Sequence, residues 1–280
     1  MTVKLLNNDD AYFAHPALSA SQIKTFVIGG AYDFWKQSPF NPEKKPETET
    51  DALIFGKLAH CMLFEPDEVD NRFLKLDWGT KTRGTKKYEQ AKEENPGKIL
   101  ISPDEYQRAG NMLAQLRSHK LVREIIKDAF CEMPFTWTDK LTGIPCKMKV
   151  DAIKRTNYGI VIIDYKTSSD IDGLLRRAEK FQYPIQDAHY CDGIEAKYGQ
   201  KPVEFVFIIQ SSKEGEEDKI CVANVGNDSR LYAKDILDGA KIQIAEKLKA
   251  WNETQDKSIW AAYPERMTLD YSNYYLNNGY

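Results

Sequence analysis

Two acidic residues and a lysine near the middle of the chain have the types and spacing of a cation-dependent hydrolytic site. Asp164 and Lys166 stand two apart in the run IVIIDYK, and side chains two apart on a strand point to one face. Asp151 comes thirteen residues earlier, on a strand that a short turn brings alongside. Two carboxylates converging at a sheet edge suit a hard cation with oxygen ligands, magnesium or manganese. Magnesium keeps several waters, and one becomes an attacking nucleophile once its pKa is lowered. A lysine beside it orients that water or stabilises negative charge growing on phosphorus oxygens. A lone D-x-K is weak by itself, since most such matches are surface ion pairs. Here four apolar residues precede Asp164, so the acid emerges from a buried strand. Burying an unpaired carboxylate is costly enough to call for a metal or a cationic partner.

Other residues have two readings each. Gln186 and Tyr190 are four apart, on one face of an expected helix. They are either a solvated glutamine and a half-buried core tyrosine, or a pair lining the metal site or a nucleic-acid backbone. His60 sits off the apolar stripe of its helix, aligned with Gly56 and Phe64, and is a packed residue or a ligand. His15, His119 and His189 read as structural. Lys81, Arg83, Lys86 and Lys87, flanked by Gly79 and Gly84 with Trp78 and Tyr88 nearby, suit a loop gripping phosphates. Arg176, Arg177 and Lys180 offer the same chemistry ahead of Gln186. Solvated charged faces are the plainer account of both clusters. Glu132 is an additional acid whose strand position does not aim it at the site.

The elements that must position these residues follow from periodicity. Pro16–Ser38 reads as a helix capped by Ser19 or Ser21. Residues 38–50, with three prolines, read as an exposed loop. Asp51–Phe64 is an amphipathic helix ended by Pro66. Ser102-Pro103 opens a helix over about 103–128, after a polar stretch over 77–98. Cys131–Asp139 and Ile144–Ile153 read as strands joined by a turn at 140–143. Period two in the second strand puts Lys147, Lys149 and Asp151 on one face. Ile160–Lys166 reads as a central strand buried on both faces. Helices over about 171–181 and 184–198, strands over 203–210 and 220–225, and a helix over about 229–250 complete the pattern. The tail carries Trp260, Tyr263, Tyr271, Tyr274, Tyr275 and Tyr280, which suggests that it packs onto the body. The fold class expected is α/β, a central mixed β-sheet flanked by helices. A single domain spans 1–280, with a catalytic core at about 131–210 and a helical part at about 16–128.

Bulk composition constrains less. The chain has 280 residues, 42% hydrophobic and 29% charged, ordinary for a globular protein. Its net charge of −3 excludes a generally basic nucleic-acid binder, but a metal-using site needs only local positive patches. Five scattered cysteines form no CxxC pair, which argues against a zinc ribbon or iron–sulfur cluster and for inert thiols in a reducing cytoplasm. No apolar run approaches the length that crosses a bilayer, and the first residues lack a secretory pattern. A cytoplasmic protein with no membrane partner is expected.

Four motifs in order carry a family resemblance: Gly56-Lys57-Leu58-Ala59-His60, Lys149-Val150-Asp151, Ile163-Asp164-Tyr165-Lys166-Thr167 and Gln186-Asp187-Ala188-His189-Tyr190. Together, over about residues 18–263, they resemble the RecE-type exodeoxyribonucleases (the exonuclease VIII nuclease domain) and, more distantly, RecB-like nucleases of the PD-(D/E)XK superfamily. The resemblance implies a restriction-endonuclease-like core. It assigns His60, Asp151 and Asp164 to the metal, with Mg2+ as cofactor and Mn2+ as an alternative. Lys166 is then the catalytic lysine, and Gln186 and Tyr190 form the Q-x-x-x-Y motif beside it. The activity implied is a 5′-to-3′ exodeoxyribonuclease on linear double-stranded DNA that leaves 3′ tails for phage-type recombination. The partners implied are DNA ends, further copies in a ring-like homo-oligomer (a tetramer) and a RecT-type single-strand annealing protein, in a bacterial or phage setting. Val150 departs from the pattern, which commonly has proline before the first acid. An endonuclease or single-strand nuclease on the same core, and a DNA-binding protein with a degenerate site, are the alternatives.

Overall fold

A computed structural model describes residues 3–6, 9–45, 49–79, 81–131 and 134–261. Glu132 and the tail tyrosines named above lie outside these residues. The chain begins with β1 (Lys4–Leu5), α1 (Asp9–Ala14), α2 (Ala20–Gln37), α3 (Asp51–Phe64) and a short α4 (Val69–Arg72). There follow β2 (Phe73–Lys75), α5 (Lys86–Glu94), β3 (Ile99–Ile101), α6 (Pro103–Ser118) and α7 (Lys120–Ile126). A hairpin of β4 (Phe135–Thr138) and β5 (Pro145–Met148) leads into β6 (Ala152–Thr156) and β7 (Gly159–Ser168). After α8 (Leu174–Lys180) and α9 (Tyr183–Tyr198) come β8 (Glu204–Ser211), β9 (Ile220–Ala223) and α10 (Asn227–Thr254).

The main sheet has the order β6-β7-β8-β9. β7 runs parallel to β8, and the two outer pairings are antiparallel, so the sheet is mixed and the fold is α/β. The two helices α8 and α9 make the crossover that a parallel pair requires. Alternation along β7 divides the interior. Ile160 and Ile162 join Phe205, Phe207 and Ile209 under side chains of α2, α9 and α10, such as Ile23, Ile194 and Ile244. Ile163 and Tyr165 join Val206 and Ile208 against α3, α6 and α7, through Leu58, Met112 and Val122. The apolar run in β7 is continuous because both faces are covered. Asp164 and Lys166 share parity with Ile162, so they emerge on the α2/α9 side.

Local signals set the helix starts. Ser19 caps α2 in a capping box with Gln22, and Ser102 caps α6 with Glu105, Pro103 occupying the first turn. Thr50 accepts from Leu53 N at the start of α3. Trp260 is buried and stacks on Trp35 with ring centroids 4.4 Å apart, which fastens the end of the described chain to α2.

Three expectations are corrected. The expected strand over 144–153 breaks at Lys149–Asp151. β5 pairs with β4 in a separate three-stranded sheet, whereas β6 pairs with β7. Lys147, Lys149 and Asp151 therefore do not share a face. Lys147 is buried, and its Nζ donates to the carbonyls of Tyr12 and His15. The helix expected over 103–128 is two helices, because His119 leaves the helical conformation and its Nδ1 caps α7 by accepting from Val122 N. The polar stretch over 77–98 contains α5, capped by Thr85, with Tyr88 packed on Leu76 and Leu100.

Candidate active site

The break before β6 is what makes the site. Ala152 lies opposite Ile163 in the β6–β7 ladder, so Asp151 stands just before the first pair and beside Asp164. Leaving strand geometry frees its carboxylate to turn back on β7, where Oδ2 accepts from Tyr165 N at 2.7 Å. From the other face of the sheet, α3 brings His60 Nδ1 to 3.2 Å from the same oxygen. The His60 ring packs on Tyr165 with centroids 5.0 Å apart.

Asp164 is 2% exposed. Its Oδ1 accepts from Gln186 Nε2 at 2.6 Å, and Lys166 Nζ stands 2.5 Å from Oδ2. That oxygen is buried yet makes no hydrogen bond of good geometry, even to the neighbouring ammonium. One turn along α9 from Gln186, Tyr190 OH donates to Lys149 O at 3.0 Å, which holds the chain bend leading to Asp151. Lys24 on α2 reaches the same cluster, with Nζ 3.3 Å from Gln186 Oε1.

Charge is distributed unequally. Burial works against ionisation of Asp151, but His60, Lys166 and the Tyr165 N–H outweigh it and hold this carboxyl below its ordinary range. Burial, reinforced by the negative charge of Asp151, pushes Asp164 upward despite Lys166. Lys166 is half-buried, and the two carboxylates more than compensate for its desolvation and raise its pKa. Lys24 faces burial and Lys166 together and is brought down to about 8.

Among the described residues, no three His, Cys, Asp or Glu side chains close on one point as ligands of a protein-only metal site. The expected trio of His60, Asp151 and Asp164 is thus not assembled as three ligands, because His60 Nδ1 is directed at the Asp151 carboxylate. A divalent cation still fits the pair of aspartates. Asp164 Oδ2 is a buried acceptor without a hydrogen bond of good geometry, burial and the charge of Asp151 push its carboxyl upward despite Lys166, and magnesium is commonly held by one or two carboxylates with the rest water.

The other expected residues fall elsewhere. Lys81 Nζ is committed within the fold, 2.9 Å from Glu105 Oε1 and 3.1 Å from Asp51 Oδ1. Arg83 also pairs with Asp51, at 2.8 Å. Asp51 and Glu105 lie in the first turns of α3 and α6, where carboxylates are favoured, so these two cations brace helix starts. Lys86 is exposed, and Lys87 is exposed with its Nζ over the Trp78 ring. Arg176 is exposed on α8, whereas Arg177 is half-buried against Phe181. Sequence reasoning missed Lys24. Its signal was a lysine four residues after Ala20 and one after Ile23, on the edge of the helix's buried stripe, where an ammonium needs a polar destination.

Residues 19–269 match a family model described as a PDDEXK-like domain of unknown function (DUF3799). Among solved structures, the chain is similar to the crystal structure of a candidate exonuclease from Eubacterium rectale. The TM-score is 0.58 at 14% identity, covering 94% of this chain and 93% of that one; likeness at such identity is one of fold. No curated protein matches the chain.

Proposed function

The chain belongs to the PDDEXK-like family DUF3799, and from that membership we propose that it is a Mg2+-dependent nuclease, a 5′-to-3′ exodeoxyribonuclease acting on linear double-stranded DNA. The observation that carries this reading is the convergence of Asp151, Asp164, Lys166 and Gln186, from separate segments, on one buried corner of the sheet. The direction of degradation, the 3′ tails, and work as a ring-like oligomer beside a single-strand annealing protein are supported by the RecE-type resemblance alone. A fold likeness to a candidate exonuclease is consistent with it.

Asp151 and Asp164 would hold the cation, with His60 fixing Asp151 from the opposite face. When bound, magnesium supplies a water of lowered pKa and positive charge for the phosphoryl oxygens. Lys166, next to Asp164 on the same side of β7, is placed to orient the attacking water and to stabilise charge on the phosphate. Gln186 fixes the orientation of Asp164 through Oδ1, leaving Oδ2 directed at the reacting region. The Tyr165 N–H and the Tyr190 hydroxyl hold the Asp151 loop in register, which is the preorganisation that electrostatic catalysis needs.

The test is digestion of linear duplex DNA labelled separately at its 5′ and 3′ ends, with magnesium and with chelator. Early release of 5′ label, absent with chelator and on closed circles, is expected. Cutting of closed circles would replace the exonuclease reading by an endonuclease one, and binding without cleavage in any divalent metal would leave a DNA-binding protein.

A further inference from the structure

Gln186 is 4% exposed, and its side-chain amide spans two groups of opposite charge. Its Nε2 donates to Asp164 Oδ1 at 2.6 Å, and its Oε1 accepts from Lys24 Nζ at 3.3 Å. An amide has one end that only accepts and one that only donates, while an ammonium can only donate and a carboxylate can only accept. Turned over, the amide would set oxygen against carboxylate and NH2 against ammonium, and both contacts would be repulsive in a poorly solvated site. Tyr190, the amide's third neighbour, commits its hydroxyl proton to Lys149 O and can only accept from the amide, so it favours the same orientation. Selection therefore falls to Asp164 and Tyr190 at the Nε2 end and to Lys24 at the Oε1 end. Lys24 comes from α2, outside the β6–β7–α9 unit that carries the other groups.

We propose that Lys24 is a positioning residue: its ammonium at Gln186 Oε1 keeps the buried amide turned so that Nε2 faces Asp164. It acts through Gln186 on the carboxylate and does not touch the reacting atoms. At its pKa of about 8 it carries its charge at neutral pH. The catalytic consequence rests on the nuclease reading, whereas the hydrogen-bonded arrangement does not.

The experiment compares wild type, Lys24→Met, Lys24→Arg, Gln186→Ala and the Lys24→Met/Gln186→Ala pair, on the full chain. In protein labelled with 15N at glutamine side chains, the Gln186→Ala variant assigns the Gln186 NH2 resonances. Wild type gives a shifted, slowly exchanging pair, Lys24→Met returns it towards the position of exposed glutamines, and Lys24→Arg restores it. In cleavage assays Lys24→Met lowers kcat about ten- to a hundredfold, the worth of one hydrogen bond to a charged group. KM for DNA stays within about threefold, and the loss vanishes in the Gln186→Ala background. Unchanged Gln186 resonances in Lys24→Met would overturn the proposal. So would a loss carried by KM and additive with Gln186→Ala, which would make Lys24 a direct DNA contact. If wild type cleaves no DNA, the nuclease reading fails, and the resonances still decide whether Lys24 orients the amide.

Discussion

His189 offers the most quantitative test of how the site is held. It lies on α9 between Gln186 and Tyr190, is fully buried, and its Nε2 is 3.1 Å from Lys147 O. A carbonyl only accepts, so Nε2 carries the proton of a neutral ring, and Nδ1 is left buried without a partner. This bond ties α9 to β5 just before the chain turns towards Asp151. Burial foremost, with Lys241 adding to it, lowers the imidazole from 6.5 to about 3. A depressed pKa means that the unfolded chain takes up a proton which the fold refuses. The contribution is therefore complete above pH 6.5 and is lost as pH falls towards 3. At about 1.36 kcal/mol per pH unit the whole effect is about 5 kcal/mol, and roughly 2 kcal/mol has gone by pH 5. For a chain of this size that is a drop of about 4–8 °C in Tm. The assay is urea and thermal unfolding of wild type and His189→Gln between pH 7.5 and 5. Glutamine retains a donor for the carbonyl but does not titrate, so its stability should fall less steeply over this range. Comparing the two chains cancels contributions from other acid-sensitive groups such as His15. Parallel stability curves would refute the reasoning, because they would mean that the ring is protonated in the fold or that the site admits water.

Three further outcomes follow from the same structure. Asp164→Asn should lower cleavage at least a hundred- to a thousandfold without lowering Tm, because the fold already pushes this carboxyl towards its uncharged form; a stable variant with full activity would dismiss the site. Gly193→Ala should cost about 1–3 kcal/mol or more in urea unfolding, since a Cβ there would run into Met148 Sδ and the Trp137 ring. Lys241→Met should destabilise by about 3–5 kcal/mol by the same assay. Lys241 Nζ is fully buried at 2.7 Å from Asp139 Oδ2 and 2.8 Å from Asp192 Oδ2, and its loss leaves Asp139 without its cation and Asp192 with Lys234 alone.

The site residues and the fold differ in how far they were readable from sequence. IVIIDYK announced a central strand with an acid and a lysine on one side, because period two is a property of the extended chain itself. Ser19, Thr50 and Ser102 could be placed as helix starts or boundaries because capping is local. Gln186 and Tyr190 fell on one helical face for the same kind of reason. The order of the motifs was enough to suggest the family, and the match over residues 19–269 agrees with the PD-(D/E)XK core.

Tertiary structure decided whatever depends on groups distant in sequence. Alternation in 144–153 is unbroken by eye, yet β5 and β6 belong to different sheets, and that break aims Asp151 at Tyr165 N. Lys81 and Arg83 looked like free charge because Asp51 and Glu105, their partners, are remote in sequence. Lys24 lay unnoticed because 162 residues separate it from Gln186. Sequence by itself determines spacing along one strand or helix, where covalent geometry sets which side chains are neighbours. Whether a charge is buried, paired or left facing a reaction depends on what packs across from it, and only the folded chain supplies that.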